Sequence, residues 1–215
     1  MTLFTRYKLT LHLENLMAGI PKHPDLIASW LEARAPSEYA FSKRTAPVPL
    51  DELAEDVAAA VHAEATEENK IWCGFKSDEN GLYVDGYHVK SHLKDCANIL
   101  QKTVAIKALK AKLADRVFVE EARLPLGYGA PAGYWEHPVH VMTMQGPRSA
   151  LKRSDYVEHV DLHATLRVLE DRVITEATLR AILDLGAWKG FGAERGLGNG
   201  RYAYELATTS NQLAT

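Results

Sequence analysis

Cysteine is scarce in this 215-residue chain, and the scarcity excludes two kinds of site. The two cysteines, Cys73 and Cys96, do not form a Cys-x-x-Cys pair. A disulfide framework or a four-cysteine zinc site needs more cysteines than this, so both are excluded. We expect both residues to be small, buried hydrophobic side chains.

Long apolar runs are also missing. No segment approaches the roughly 18 consecutive apolar residues of a membrane span, and the first residues lack the pattern of a signal peptide. The composition, 47% hydrophobic and 25% charged, is typical of a globular chain with a substantial core. We therefore expect a single cytoplasmic domain, residues 1–215, without a membrane partner.

The chain has no excess of positive charge. Its net charge is −3, which on average argues against a nucleic-acid partner. The charge is unevenly distributed, however, because residues 50–70 hold seven acids and one base, whereas residues 90–123 hold eight bases and four acids. The basic segment is either a phosphate-binding stripe or a solvated, lysine-rich helix surface.

Hydrophobic periodicity predicts core elements in the order strand, helix, strand, strand, helix, strand. Their predicted ranges are 7–14, 87–113, 116–121, 156–168, 175–185 and 201–206. This β-α-β-β-α-β order predicts an α+β, ferredoxin-like fold, which RRM-like RNA-recognition domains share. Two insertions interrupt the core, a helical and acidic one at about 15–86 and a loop at about 122–155.

Local signals set several boundaries. Thr175 is a predicted N-cap of the second core helix, and Gly186 is predicted to end that helix. The Asn80-Gly81 dipeptide predicts a tight turn between two strands. Residues 146–154 are predicted to form a basic turn or flap.

A glycine-rich loop follows the second predicted helix. Its glycines are Gly190, Gly192, Gly196, Gly198 and Gly200. A dinucleotide-binding motif would have a strand before it and a helix after it, and a phosphate loop would contain Gly-Lys-Ser/Thr, so neither is predicted here. The loop either lets its backbone approach a ligand, with Arg195 and Arg201 available to phosphates, or makes a tight connection packed on the sheet.

This helix, glycine-rich loop and final strand resemble the RAMP superfamily, the ferredoxin-like RNA-binding proteins of CRISPR effector complexes. The loop has the spacing Gly-x-Gly-x-x-Arg-x-x-Gly-x-Gly. A second segment, 75–94, is similar to the motif at the helix start of the family's backbone subunits, which form a filament on the guide RNA. Here Asp85-Gly86-Tyr87-His88 replaces the usual Pro-Gly-Ser-Ser, and Ser91 replaces a glycine.

The resemblance implies a function and a set of partners. Lys90, Ser91 and Lys94 would contact the RNA backbone from the start of the helix, beside the glycine loop. The insertion at 122–155 would correspond to a thumb-like element. The expected partners are single-stranded guide RNA, other copies of the chain and other effector subunits of an antiviral ribonucleoprotein. No cofactor and no metal are expected.

Two alternatives stay open. The first is a RAMP-type endoribonuclease that uses a histidine, His12 or His23, although the 75–94 motif argues against the processing subfamily. Some backbone subunits instead cut RNA with an aspartate after the first strand, where Asp25 lies in this chain. The second alternative is a viral or phage assembly protein that uses the fold for protein contacts alone.

The second insertion and two histidine groups supply further candidates. Arg148, Lys152 and Arg153 follow three aromatic residues, Tyr128, Tyr134 and Trp135, so that rings could stack on bases while cations bind phosphates. The competing interpretation is that Trp135 anchors a long loop. His88 and His92 have zinc-chelating spacing, and His159, Asp161 and His163 share one strand face, but solvated or RNA-facing side chains are the favoured interpretation.

Overall fold

The computed structural model of the chain describes residues 3–22, 72–143, 146–169 and 171–209. The acidic segment of the first insertion lies outside these residues, as do the candidate catalytic residues His23 and Asp25. The boundaries of the two insertions and the single-domain assignment stay predictions.

The centre of the molecule is a four-stranded antiparallel sheet. Its strands are β1 (Thr5–Met17), β6 (Val117–Val119), β9 (Gly146–Val168) and β10 (Tyr202–Thr209). They lie in the order β10-β1-β9-β6, so the first and third core strands are central and the second and fourth are at the edges. This is the ferredoxin-like arrangement, and the predicted α+β fold class is confirmed.

Within the described residues, three α-helices form the layer that packs on this sheet. They are α1 (Gly86–Thr103), α2 (Leu109–Arg116) and α3 (Glu176–Lys189). Alternate apolar residues of β1 are buried together with the helix positions spaced three and four apart. The resulting core contains Leu9, Leu11, Leu13, Val89, Leu93, Leu179, Ile182 and Leu183.

The predicted single helix over 87–113 is wrong, because the chain breaks between α1 and α2. Ala105 and Ala108 adopt left-handed backbone angles, with φ of 54° and 57°. In a continuous helix, Leu109 would lie about 180° around the axis from Leu100, since each residue turns about 100°. The break brings Leu109 back to the core, where it is fully buried.

The second core helix is longer than predicted. Thr175 is its N-cap as predicted, with its hydroxyl accepting from the Thr178 N–H at 3.2 Å. Gly186 does not end the helix but lies within it. A Cβ at this position would be 2.2 Å from the Tyr202 hydroxyl. This close packing explains the glycine, and α3 continues to Lys189 with Gly190 as its C-cap.

The second insertion contains a long hairpin. Strand β8 (Gly133–Thr143) pairs with the first part of β9 continuously from Gly133 opposite Tyr156 to Thr143 opposite Gly146. The prediction of a basic turn over 146–154 is therefore wrong, since those residues belong to a strand. Short strands β2 (Ile20–Pro21) and β3 (Trp72–Gly74) extend the sheet, β3 pairing parallel to β9.

A second, three-stranded sheet leads into α1. It consists of β4 (Lys76–Asp78), β5 (Gly81–Asp85) and β7 (Arg123–Pro125), in the order β4-β5-β7. The predicted turn at Asn80-Gly81 joins β4 to β5. Cys73 and Cys96 are free and buried, as predicted. Among the described helices, none is long and apolar enough to cross a membrane.

Candidate nucleic-acid interface

Helix α1 begins directly after β5, and a buried ion pair anchors its start. Asp85 is the N-cap residue, and its carboxylate lies 2.9 Å from the amine of Lys76. Both side chains are at least 88% shielded from solvent, since their exposed fractions are 12% and 5%. The first turn of α1 contains no acidic residue, so the carboxylate nearest to the positive end of the helix dipole is that of Asp85, which is paired with Lys76.

The three predicted RNA contacts on α1 differ in their surroundings. The Lys90 amine lies 4.6 Å from the centre of the Phe118 ring, and burial followed by repulsion from Lys94 lowers the Lys90 pKa. Ser91 is exposed, and Lys94 is half-buried with no carboxylate within 4 Å in the described part of the chain. Lys94 and Ser91 are thus available for a ligand, whereas Lys90 already contacts a ring.

One carboxylate joins α1 to α3 and to the glycine loop. Asp95, the residue after Lys94, accepts from the Lys189 amine at 3.0 Å and from the Arg195 guanidinium at 3.2 Å. Burial of the Asp95 carboxylate alone would raise its pKa, but hydrogen bonds from these two cations outweigh that effect and lower it. Two positive charges share one negative charge, so the cluster keeps a net positive charge.

The loop glycines fall into two groups. Gly190, Gly192 and Gly200 have positive φ angles, and a Cβ at any of them would lie 1.8 to 2.5 Å from a neighbouring atom. At Gly196 and Gly198 a Cβ would meet no atom of the described chain within 4 Å. Tight packing therefore accounts for three of the five glycines. The other two border open space, and of these Gly198 also has a positive φ, of 88°.

A cleft of about 470 Å³ lies between these elements. Its walls come from the end of β1, the β4-β5 pair, α1 and the glycine loop. Ser91, Asp95 and Arg195 line it together with His88 and the Lys76–Asp85 pair. The two segments singled out from the sequence, 75–94 and 190–200, thus border one space although about a hundred residues separate them.

We refer to Ser91, Lys94, Asp95, Lys189, Arg195 and Arg201 as the α1–loop surface. Four of these residues are cations and one is an anion, in contrast to the net charge of −3 of the whole chain. Arg201 is exposed, and its guanidinium lies 5.3 Å from the centre of the Trp188 ring.

Trp188 is a residue that the sequence analysis missed. It lies in the last turn of α3 and is 75% exposed. The sequence pattern could have indicated its exposure, because position 188 of the helix is off the apolar stripe formed by Leu179, Ile182 and Leu183. Because the predicted helix ended at residue 185, position 188 was not compared with that stripe.

Two of the three predicted cations of the hairpin, Lys152 and Arg153, make contacts within the molecule. The Lys152 amine lies 2.5 Å from the Glu194 carboxylate, whose other oxygen is 3.5 Å from His137. The Arg153 guanidinium lies over two rings, 4.5 Å from Trp72 and 3.5 Å from Tyr134. Both cations therefore hold the base of the hairpin.

The remaining candidates of the second insertion are Arg148 and three aromatic residues. Arg148 lies in β9 opposite Val141. Trp135 stacks on His137 with ring centres 4.3 Å apart, and the Tyr128 hydroxyl donates to the Glu158 carbonyl. Each of the three predicted stacking rings, including Tyr134, thus has a partner in its own chain. This favours the interpretation that Trp135 anchors the loop.

The two histidines on α1 do not act as a pair. His92 is buried, and its Nε2 lies 2.9 Å from the Tyr202 hydroxyl, which itself donates to the Leu183 carbonyl. Burial, with repulsion from Arg195, lowers the His92 pKa to about 4, so the ring is neutral. His88 instead lines the cleft, with its ring 4.3 Å from that of Tyr87.

The polar face of β9 contains an aspartate–histidine pair. His12 Nδ1 lies 2.7 Å from the Asp161 carboxylate across the β1–β9 register, and Thr10 contacts His163 at 3.1 Å. His159 has a positive φ of 50°, and the alternation changes there, since Val157 and Val160 are both buried. No group of three or more metal-binding side chains occurs within the described residues.

No family model matches the chain, and no curated protein matches it. One similar solved chain belongs to the cryo-EM structure of the Type III-B Cmr-beta complex bound to cognate target RNA, at 8% identity and a TM-score of 0.46. The match covers 96% of this chain but 62% of that one, so this chain spans less than two thirds of its length.

Proposed function

We propose that this chain binds single-stranded RNA through the α1–loop surface, as a backbone subunit of a CRISPR-type ribonucleoprotein in which further copies follow along the strand. The observation that carries the proposal is the pair of contacts from Lys189 and Arg195 to Asp95. These contacts bring the basic segment of α1 and the glycine loop, each selected independently from the sequence, to one surface.

The charge of this surface fits a phosphate backbone. Lys94 has no carboxylate partner in the described chain, and Asp95 offsets only one of its two neighbouring cations. The Asp95 contacts also hold Arg195 in place before a ligand arrives, which reduces the entropy lost on binding. Beside it, Gly196 is exposed, and a Cβ there would meet no described atom within 4 Å, so a phosphate oxygen can approach the loop backbone at this position.

A salt titration with a matched control tests this proposal. The double variant Lys94→Ala/Arg195→Ala removes one cation from α1 and one from the loop, while Lys102→Ala/Lys107→Ala removes two exposed lysines elsewhere. Binding of a fluorescein-labelled 20-mer of uridine is measured by anisotropy from low to moderate salt. We expect the first variant to bind about tenfold more weakly, with a log–log salt slope shallower by about 1.4 for two lost contacts.

The control separates a specific surface from general attraction. We expect Lys102→Ala/Lys107→Ala to stay within about twofold of the wild type. Equal losses in both double variants, or none in either, would contradict the proposal. Absence of RNA binding by the wild type, with a protein-like absorbance ratio after purification, would favour the assembly-protein alternative. Size-exclusion chromatography with and without RNA tests the arrangement of copies along the strand.

One contact favours a second candidate function, metal-independent RNA cleavage. Asp161 orients the His12 ring by binding Nδ1, which leaves Nε2 to exchange a proton, and such a pair is typical of general acid–base catalysis. The Glu205 carboxylate is 3.8 Å from that Nε2. Incubation of stem-loop RNA with the protein in EDTA, compared with His12→Ala, tests this function. An intact RNA after incubation with the wild type would rule it out.

A further inference from the structure

Trp188 is the most exposed of the described tryptophans. The indole N–H of Trp72 donates to Asp155 at 2.7 Å, and Trp135 stacks on His137. Trp188 is 75% exposed, and within the described residues it contacts only the guanidinium of Arg201 among polar groups. Tryptophan side chains are usually well buried, so a ring this exposed needs an explanation.

The surroundings of Trp188 indicate what covers it. Arg201 has no carboxylate partner in the described part of the chain, and Lys189 and Arg195 lie on the same α1–loop surface. Tryptophan and arginine are also enriched at protein–protein interfaces, so the observation that decides is the excess of positive charge on this surface, where Lys189, Arg195 and Arg201 face the single carboxylate of Asp95. An aromatic face beside cations instead suits a nucleobase with its phosphate, since any base can stack on the ring.

We propose that Trp188 and Arg201 form a stacking platform for one unpaired nucleobase of the bound strand. Arg201 lies over one face of the Trp188 ring, the base stacks on the other face, and the guanidinium binds the adjacent phosphate. This inference rests on the proposed function, because it concerns the same strand. It adds a base contact to a surface that otherwise binds only the backbone.

Three variants and two probes test the platform. Trp188→Ala removes the ring, Trp188→Phe keeps an aromatic face, and Leu197→Ala removes another exposed apolar side chain, which is 60% exposed in the glycine loop. The probes are the labelled uridine 20-mer and an abasic oligonucleotide of equal length. For the uridine probe we expect Trp188→Ala to bind at least about fivefold more weakly, with an unchanged salt slope. Trp188→Phe should lose less, and Leu197→Ala should stay within about twofold of the wild type.

The abasic probe identifies the interaction. Since it carries phosphates but no bases, we expect Trp188→Ala and the wild type to bind it equally. Equal binding of the uridine probe by wild type and Trp188→Ala would overturn the platform and leave the proposed function standing. Failure of the wild type to bind either probe would overturn both. A change in the oligomeric state of Trp188→Ala without RNA would also overturn the platform, in favour of a protein partner.

Discussion

The glycine loop has a packed side and an open side, and both contain glycines and charged residues, which have different roles on the two sides. On the packed side, Gly190, Gly192 and Gly200 fit against backbone or core atoms, and Glu194 binds Lys152. On the open side, Gly196 and Gly198 border free space next to Arg195. A glycine-rich, basic sequence therefore combines a structural clamp and a candidate binding surface. We expect substitutions on the packed side to reduce stability and those on the open side to reduce RNA affinity.

The hairpin base and the α1–loop surface, the two basic regions of the molecule, also differ in whether their cations are engaged within the fold or open to a ligand. At the hairpin base, Lys152 is paired with a carboxylate and Arg153 lies between two rings. On the α1–loop surface, Lys94 and Arg201 have no carboxylate partner among the described residues. Lys152 has therefore lost part of its attraction for a phosphate, because Glu194 offsets its charge, whereas Lys94 and Arg201 keep theirs.

Gly200→Ala gives the largest expected effect. The residue has a φ of 75°, and a Cβ would lie 1.8 Å from the Phe191 carbonyl oxygen, a backbone atom that cannot move away cheaply. We expect the free energy of unfolding to fall by at least about 3 kcal/mol, measured by urea denaturation.

Gly196→Ala is the matched control for this comparison. A Cβ there meets no described atom within 4 Å, and we expect a change within about 0.5 kcal/mol. Similar destabilisation by the two substitutions would show that the division into packed and open sides is wrong.

The fold was predictable where periodicity is strong. Leu9, Leu11 and Leu13 alternate along β1, and the stripe of α3 repeats every three or four residues, so both elements could be recognised locally. The break after α1 could not be predicted, because Ala105 and Ala108 adopt left-handed angles without any glycine or proline nearby. The need to return Leu109 to the core imposes those angles, and that need depends on tertiary packing.

The candidate site was predictable only in part. The glycine loop and the Lys90–Lys94 segment were found from their motifs, and the structure brings Ser91 and Arg195 to one cleft. The sequence could not show that Lys152 forms an ion pair within the chain, since its partner Glu194 is 42 residues away. Trp188 was missed because Gly186, a packing glycine inside α3, resembles a helix end.

The second largest expected effect is a loss of stability on acidification, which comes from His92 on the buried side of α1. His92 has a pKa of about 4 in the folded chain and 6.5 in the unfolded chain, because burial disfavours its charged form. Between these values the unfolded state binds more protons, so the stability that is fully present above pH 6.5 is lost as the pH falls towards 4. We expect this loss to reach about 3 kcal/mol.

His92→Gln isolates this contribution, because the variant has no proton to gain at that position. Chemical denaturation at several pH values between 7 and 4 is compared for the two proteins. We expect the variant to be less stable at pH 7, since its contact with Tyr202 is altered, and to show a shallower pH dependence. Parallel pH profiles would contradict the buried, neutral state of His92.

The smallest of these effects concerns Glu194, which connects the packed side of the loop to the hairpin base. Its side chain is 13% exposed and binds both Lys152 and His137. Glu194→Gln keeps the shape of the side chain but removes its charge, so we expect a loss of about 1 to 2 kcal/mol in urea denaturation. Because the substitution also releases the charge of Lys152, RNA affinity should stay equal or rise slightly. A fivefold loss of RNA affinity at unchanged stability would instead place Glu194 on the binding side of the loop and remove the distinction between its two sides.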